Sequence, residues 1–221
     1  LHIEQGPVLE QEGLAIGVVE DLQGISWTEV TIEGQANHAG TTPMHLRHDA
    51  GQAAAAITCH LQDICRTIGG AQVATVGHLR LLPDIINVVP GKAVMTVDLR
   101  NSREEALAEA EYMLQAFLDR LAELKGLSIT TKRLARFEPV TFDPDVVSLI
   151  EEETRRQGHS YRRMTSGAGH DAQMMARISP SAMIFVPSRD GISHNPAEFT
   201  APAQLEAGAN LLLATLVMLA G

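Results

Sequence analysis

The run from residue 92 to residue 126 constrains the fold more than any other part of the chain. "KAVMTVDLRN" alternates strictly, with Ala93, Met95, Val97 and Leu99 on one face and Val94, Thr96, Asp98 and Arg100 on the other. Period-two alternation marks a strand with one buried face. The next stretch, "SREEALAEAEYMLQAFLDRLAELKG", switches to a helical period, with Leu107, Ala110, Met113, Leu114, Phe117, Leu121 and Leu124 along one stripe. Ser102 and Glu105 have the spacing of a capping box, and Gly126 ends the helix. A one-faced strand running into a one-faced helix calls for a layer of helix on sheet.

The surrounding segments repeat that logic. "SWTEVTIEG" reads as a strand, "HDAGQAAAAITCHLQDICRTIGG" as an alanine-rich helix stopped by Gly69 and Gly70, and "AQVATVGHLRL" as a strand. "LPDIINVVPG" carries turn chemistry, and "LSITTKRLARF" is a closing strand. From residue 26 to about 137 the order is β-α-β-β-α-β, the split ferredoxin-like pattern.

The flanks have another style. "AIGVVEDLQG" reads as a short buried strand ended by Gly24, and after "FEPVTFDPD" a helix begins with Asp143 as N-cap and Pro144 in its first turn. "SAMIFVPS" then reads as a strand, and a last helix starts at about residue 202. The expected architecture is a partial α/β domain, residues 1–24 and 139–221, with an inserted α+β ferredoxin-like domain at 25–138.

Seventeen basic against 27 acidic residues give a formal charge of −10 with no basic stripe, which argues against nucleic-acid binding. Cys59 and Cys65 are expected to be reduced core thiols of a cytoplasmic protein. The apolar run "LLLATLVMLAG" is expected to be a buried helix too short to span a membrane.

Four polar stretches interrupt the pattern: "HIEQG", "NHAGTTP", "SGAGHDA" and "GISHNPAE". His2 and His194 sit at strand–loop junctions, where imidazole can bind zinc or manganese or can simply hydrogen-bond a loop. Asn37, His38, Thr41 and Thr42 surround small residues, which suits either close approach to a ligand or a polar turn with a threonine capping the following helix. "SGAGHDA" suits an anion at a helix N-terminus or plain capping by Asp171. Arg100 can clamp a carboxylate or stand exposed. A G-x-S-x-G elbow, a G-x-G-x-x-G loop and a Walker loop are all missing, which disfavours serine-hydrolase and nucleotide chemistry.

Together, "LHIEQGPVLE", "GQANHAGTTPM", "INVVPGKAVMTVDLR", "MTSGAGHDAQ" and "MIFVPSRDGISHNPAE", in this order, resemble the carbamoylase and allantoate amidohydrolase branch of the M20 metallopeptidase-like family. The resemblance covers essentially the whole chain. It implies a homodimer joined through the inserted lid domain, and hydrolysis of a ureido C–N bond with release of ammonia and usually carbon dioxide. It also implies two divalent metal ions, zinc or manganese with cobalt or nickel as further options.

Carried over by motif, the resemblance implies His2 and His194 as metal ligands and Gln5 as a contact to the ureido group. His38 would be the lid histidine that reaches the partner subunit's site and stabilises an oxyanion. Asn87 and Arg100 would bind the substrate carboxylate, and Gly167, Ala168 and His170 would line the pocket. Family chains run well beyond this length, and their first half carries the remaining ligands and the general base. The chain is therefore expected to correspond to the C-terminal part of such an enzyme and to be inactive alone.

The favoured substrates are N-carbamoyl-L-amino acids, with allantoate as the alternative. A non-catalytic dimerisation or ligand-binding module is the competing reading from a different class. An aminoacylase or dipeptidase is disfavoured by "HIEQG" and "GAGHDA".

Overall fold

The polypeptide enters one sheet, leaves it to build a second, and returns. The structure is a computed structural model describing residues 1–221, and it divides into two units: Leu1–Gln23 with Val140–Gly221, and Gly24–Pro139.

The first unit opens with β1 (His2–Ile3), the short helix α1 (Val8–Glu12) and β2 (Ile16–Leu22). Glu4 is buried, and its carboxylate accepts the Val8 and Leu9 amides at 2.9 Å each, satisfying the otherwise orphaned first turn of α1. In β2, Ile16, Val18, Val19 and Leu22 are fully buried.

The second unit runs β3 (Gly24–Glu33), β4 (Asn37–His38), α2 (Ala50–Ile68), β5 (Val73–Leu82), β6 (Val88–Val89), β7 (Lys92–Asn101), α3 (Glu104–Lys125) and β8 (Ser128–Phe137). Its main sheet has the order β5-β7-β3-β8 with every neighbouring pair antiparallel. Ala93, Met95, Val97 and Leu99 form its buried face and pack with Ala53, Ala54, Ile57, Leu61 and Ile64 of α2 and Leu107, Ala110, Leu114, Leu118 and Leu121 of α3. The small β4–β6 ladder, which pairs Asn37 with Val89 and His38 with Val88, is too short to leave a period in the sequence.

Several local expectations are corrected. Neither threonine caps α2. Asp49 does, accepting the Gln52 amide at 2.9 Å, while Thr42 Oγ1 donates to the His38 carbonyl. The Ser102 capping box does not form, because β7 continues to the buried Asn101, whose Oδ1 accepts the Arg103 amide, and α3 starts at Glu104. Leu118 takes a core position, whereas Leu124, near the helix end, is exposed. Cys59 is exposed and Cys65 only half-buried, so the pair are not core thiols.

The chain returns through β9 (Val140–Thr141), α4 (Pro144–Arg156), β10 (Tyr161–Ser166), the four-residue α5 (Ala172–Met175), β11 (Met183–Val186) and α6 (Pro202–Ala220). Asp143 caps α4, accepting the Asp145 and Val146 amides, and Pro144 begins the helix, as expected. The sheet order is β1-β11-β2-β10, with β9 pairing β2. The β1–β11 and β2–β10 pairs are parallel, whereas β11–β2 and β2–β9 are antiparallel. Asp171 makes no side-chain cap to α5, and a helix this short is no anion site.

The largest departure is α6. At 19 residues and a mean hydropathy of 1.5, it is long and apolar enough to cross a membrane by length and composition, and only 17% of that window is buried. The quoted apolar run is the second half of a longer helix. Leu213, Leu216, Val217, Met218 and Leu219 are exposed, and Leu211 and Thr215 lie inward.

Candidate active site

In the first unit the site is assembled where β1 and β11 end. These strands run parallel with Ile3 opposite Val186, and the Glu4 amide donates to the Val186 carbonyl at 2.9 Å. The next residues therefore emerge side by side. The Gln5 amide donates to the buried Ser188 Oγ at 3.0 Å. Gln5 takes a left-handed backbone with φ 60°, and His194 does the same with φ 55°. Such conformations are unfavourable for residues with a Cβ and persist where neighbours enforce them. They bring the Gln5 Nε2 to 3.4 Å from His194 Nε2 and to 2.9 Å from Ser193 Oγ.

His2 lies within the sheet, half-buried. Its Nδ1 is 2.8 Å from the Ile3 carbonyl, so Nδ1 carries the hydrogen and donates, leaving Nε2 with a free lone pair. Its ring lies 4.5 Å from that of His170 and 6.5 Å from that of Phe185. The loop after β10 brings His170 there. Ser166, fully buried, donates to the Ala168 carbonyl at 3.0 Å and lies 3.1 Å from His170 Nε2. With its one hydrogen used, the serine hydroxyl accepts from His170. Burial first, and the neighbouring His2 second, push the His170 imidazole down to about 4, so it is neutral near pH 7. Gly167 and Ala168 form the backbone of this same loop.

The remaining candidates belong to the second unit. His38, exposed, accepts the Gly40 and Thr41 amides through Nδ1 at 3.1 and 3.2 Å. Asn87 sits beside it, its carbonyl accepting the Ala39 amide at 2.9 Å. Arg100 is elsewhere. His38 and Asn87 belong to the segments joining the Lys92 end of β7, while Arg100 pairs with Ile25 and Val73 at the other end. Eight residues of strand separate these ends by about 26 Å at about 3.3 Å per residue. The Arg100 guanidinium lies half-buried against Asp98, with its Nη2 2.7 Å from the carboxylate and its Nε 3.1 Å from both oxygens. The strand alternation already placed these two residues on one face.

Sequence reasoning passed over Ser166, Ser188, Ser193 and Glu198. Ser193 and Glu198 stand inside the quoted "GISHNPAE", but their importance depends on the left-handed turn at His194, which has no sequence signal of its own.

His2, with its carbonyl-fixed tautomer, suits a metal ion. Yet no group of three or more His, Cys, Asp or Glu side chains in residues 1–221 is placed to hold a metal ion. Two imidazoles are too few donors for a two-metal centre, so this chain alone does not fit one.

Residues 1–218 match the family described as Peptidase family M20/M25/M40. An N-carbamoyl-L-amino-acid amidohydrolase from Rhizobium meliloti is 38% identical over 211 residues, covering 96% of this chain and 51% of that protein. An allantoate amidohydrolase from Escherichia coli is 39% identical over 220 residues, covering 100% of this chain and 54% of that protein. Among solved structures, an amidase of the hydantoinase/carbamoylase family from Burkholderia multivorans is similar with a TM-score of 0.93 and 42% identity, covering 96% of this chain and 52% of that one. The chain thus spans about half the length of the curated relatives it matches.

Proposed function

The chain belongs to peptidase family M20/M25/M40, and from that premise we propose that it forms part of a metal-dependent amidohydrolase cleaving the ureido C–N bond of N-carbamoyl-L-amino acids. The observation that carries the reading is the meeting of Gln5 and His194 beyond β1 and β11, both in enforced left-handed backbone. A carboxamide held there can hydrogen-bond a ureido group, which offers both N–H donors and a carbonyl acceptor.

In this reading His2 and His194 are the ligands this chain contributes to a metal centre whose other donors lie outside residues 1–221. Gly167, Ala168 and neutral His170 line the pocket. His38 donates to the oxyanion that develops as the carbonyl is attacked, and Asn87 and Arg100 bind the substrate carboxylate.

The second unit is read as a ferredoxin-like lid, supported by its β-α-β-β-α-β order and antiparallel sheet. Dimerisation through this unit is part of the same proposal. Its support is twofold. A substrate held by Arg100 of one copy is too far along β7 to be reached by His38 and Asn87 of that copy, and Met44, Leu46, Ile85 and Ile86 leave an exposed apolar rim near His38 and Asn87.

Allantoate is the second reading, favoured by the relative from Escherichia coli, whose match covers 100% of the chain. Initial rates of the intact gene product test both, read as ammonia released from N-carbamoyl-L-amino acids and allantoate and as free amino acid released from N-acetyl amino acids. A tenfold preference for the carbamoyl compounds, about 1.4 kcal/mol in transition-state binding, supports the first reading. Hydrolysis of N-acetyl compounds alone overturns both.

A further inference from the structure

We propose that Glu198 is a positioning residue that decides which end of the Gln5 carboxamide faces outward. Glu198 Oε2 accepts the Ser193 hydroxyl at 2.9 Å and the His194 amide at 3.1 Å. A carboxylate only accepts, so it takes the single hydrogen of Ser193. Ser193 Oγ is left as an acceptor toward Gln5, and Gln5 must turn its Nε2 to it, at 2.9 Å. The second amide hydrogen lies toward His194 Nε2, 3.4 Å away. Both N–H groups of the carboxamide are then directed inward, and its Oε1 is presented as an acceptor. The polarity of one carboxylate passes through one hydroxyl to fix the orientation of one amide.

The same carboxylate holds the His194 N–H in its left-handed turn. Glu198 is itself held by a tight turn in which its amide donates to the Asn195 carbonyl and the Ala197 amide to Asn195 Oδ1, both at 2.9 Å. The ligand this arrangement selects carries an N–H donor where it meets Gln5, as the ureido nitrogen does. That consequence rests on the proposed function, whereas the relay itself does not.

Glu198→Ala is the informative change, because it removes the acceptor that takes the Ser193 hydrogen. The hydroxyl is then free to donate to Gln5 Oε1, and the Gln5 carboxamide is free to turn over. Glu198→Gln is the control, because its Oε1 can replace the one carboxylate oxygen that accepts both Ser193 and the His194 amide. The experiment follows the side-chain amide resonances of Gln5 in 15N-labelled chain. In the native protein the Gln5 NH2 exchanges slowly with solvent. In E198A that protection is lost, in S193A it is lost as well, and in E198Q it is kept. The double variant S193A/E198A shows no change beyond S193A, because the message has no carrier.

Unchanged Gln5 exchange in E198A overturns the proposal. If E198A does not fold, S193A decides alone, and unchanged exchange there overturns it equally. In the intact gene product, E198A is expected to raise KM for ureido acids about tenfold with kcat held within about twofold, and a loss confined to kcat contradicts the relay. If the Gln5 amide responds as described while no ureido acid is turned over by the native protein, the relay is supported and the functional reading fails.

Discussion

Gln5 and His194 stand 189 positions apart in the chain, yet their side-chain nitrogens approach to 3.4 Å from two left-handed backbones. The strain at His194 has a measurable consequence. Glycine tolerates φ 55° without a Cβ penalty, whereas alanine keeps that penalty. His194→Gly is therefore expected to be more stable than His194→Ala by about 1 kcal/mol, or about 2–4 °C in melting temperature for a chain of this size. Thermal melts of the two variants check it. Both abolish activity in the intact gene product if the proposed role of His194 holds.

Gly17 supports the same site from below. A Cβ added there would lie 2.5 Å from Met164 Sδ and 3.0 Å from Phe185 Cβ. Phe185 pairs with His2 across the β1–β11 ladder, so displacing it disturbs the His2 ring. Gly17→Ala should destabilise the protein by about 1–3 kcal/mol. Urea denaturation of native and variant protein measures this.

Glu151 ties α4 to β10. Its carboxylate accepts from Arg163 and Arg155 at 2.7 Å each and from the Tyr161 hydroxyl at 3.0 Å. The Arg163 hydrogen bond, then the tyrosine, hold its carboxyl below the ordinary value of 4.5. A lowered folded-state pKa means stabilisation that is complete above the unfolded value and lost as pH falls through the folded one. Glu151→Gln is thus expected to lose about 1 kcal/mol near pH 7, with the difference from native shrinking toward about pH 3. Denaturation at the two pH values tests it, and a difference that grows on acidification contradicts it.

The outward side of α6 predicts association. Leu213, Leu216, Val217, Met218 and Leu219 expose a continuous apolar surface. The isolated chain should elute from a sizing column above its 23.8 kDa monomer mass and bind apolar dyes. Leu213→Glu with Val217→Lys should reduce both effects. A monomeric, dye-silent native chain would contradict the prediction.

The parts of the fold legible in the sequence are those where one physical constraint dominates. In β7, neighbouring residues face either a helical layer or the outside, so Ala93 through Leu99 alternate without error. The α4 cap was legible because Asp143 and Pro144 each have a strong positional preference. The boundary at Ser102 was not, since local capping chemistry competes there with one more residue of strand pairing, and Asn101 stays in the sheet. In α6 the even spread of apolar residues reads as burial all round, and the sequence carries no sign of which face lacks a partner. The site shows the same division. His2, Gln5, His38 and His194 stood out as polar interruptions, whereas Ser193 and Glu198 acquire their role only through a backbone turn formed in three dimensions.

The most direct test of the account is bound metal per chain, by elemental analysis of purified residues 1–221 after loosely held ions are removed. With His2 and His194 as the donors and no group of three or more His, Cys, Asp or Glu side chains placed to hold a metal ion, well below one tightly held ion per chain is expected. About two ions per chain would contradict it, because the chain would then hold by itself the complete centre.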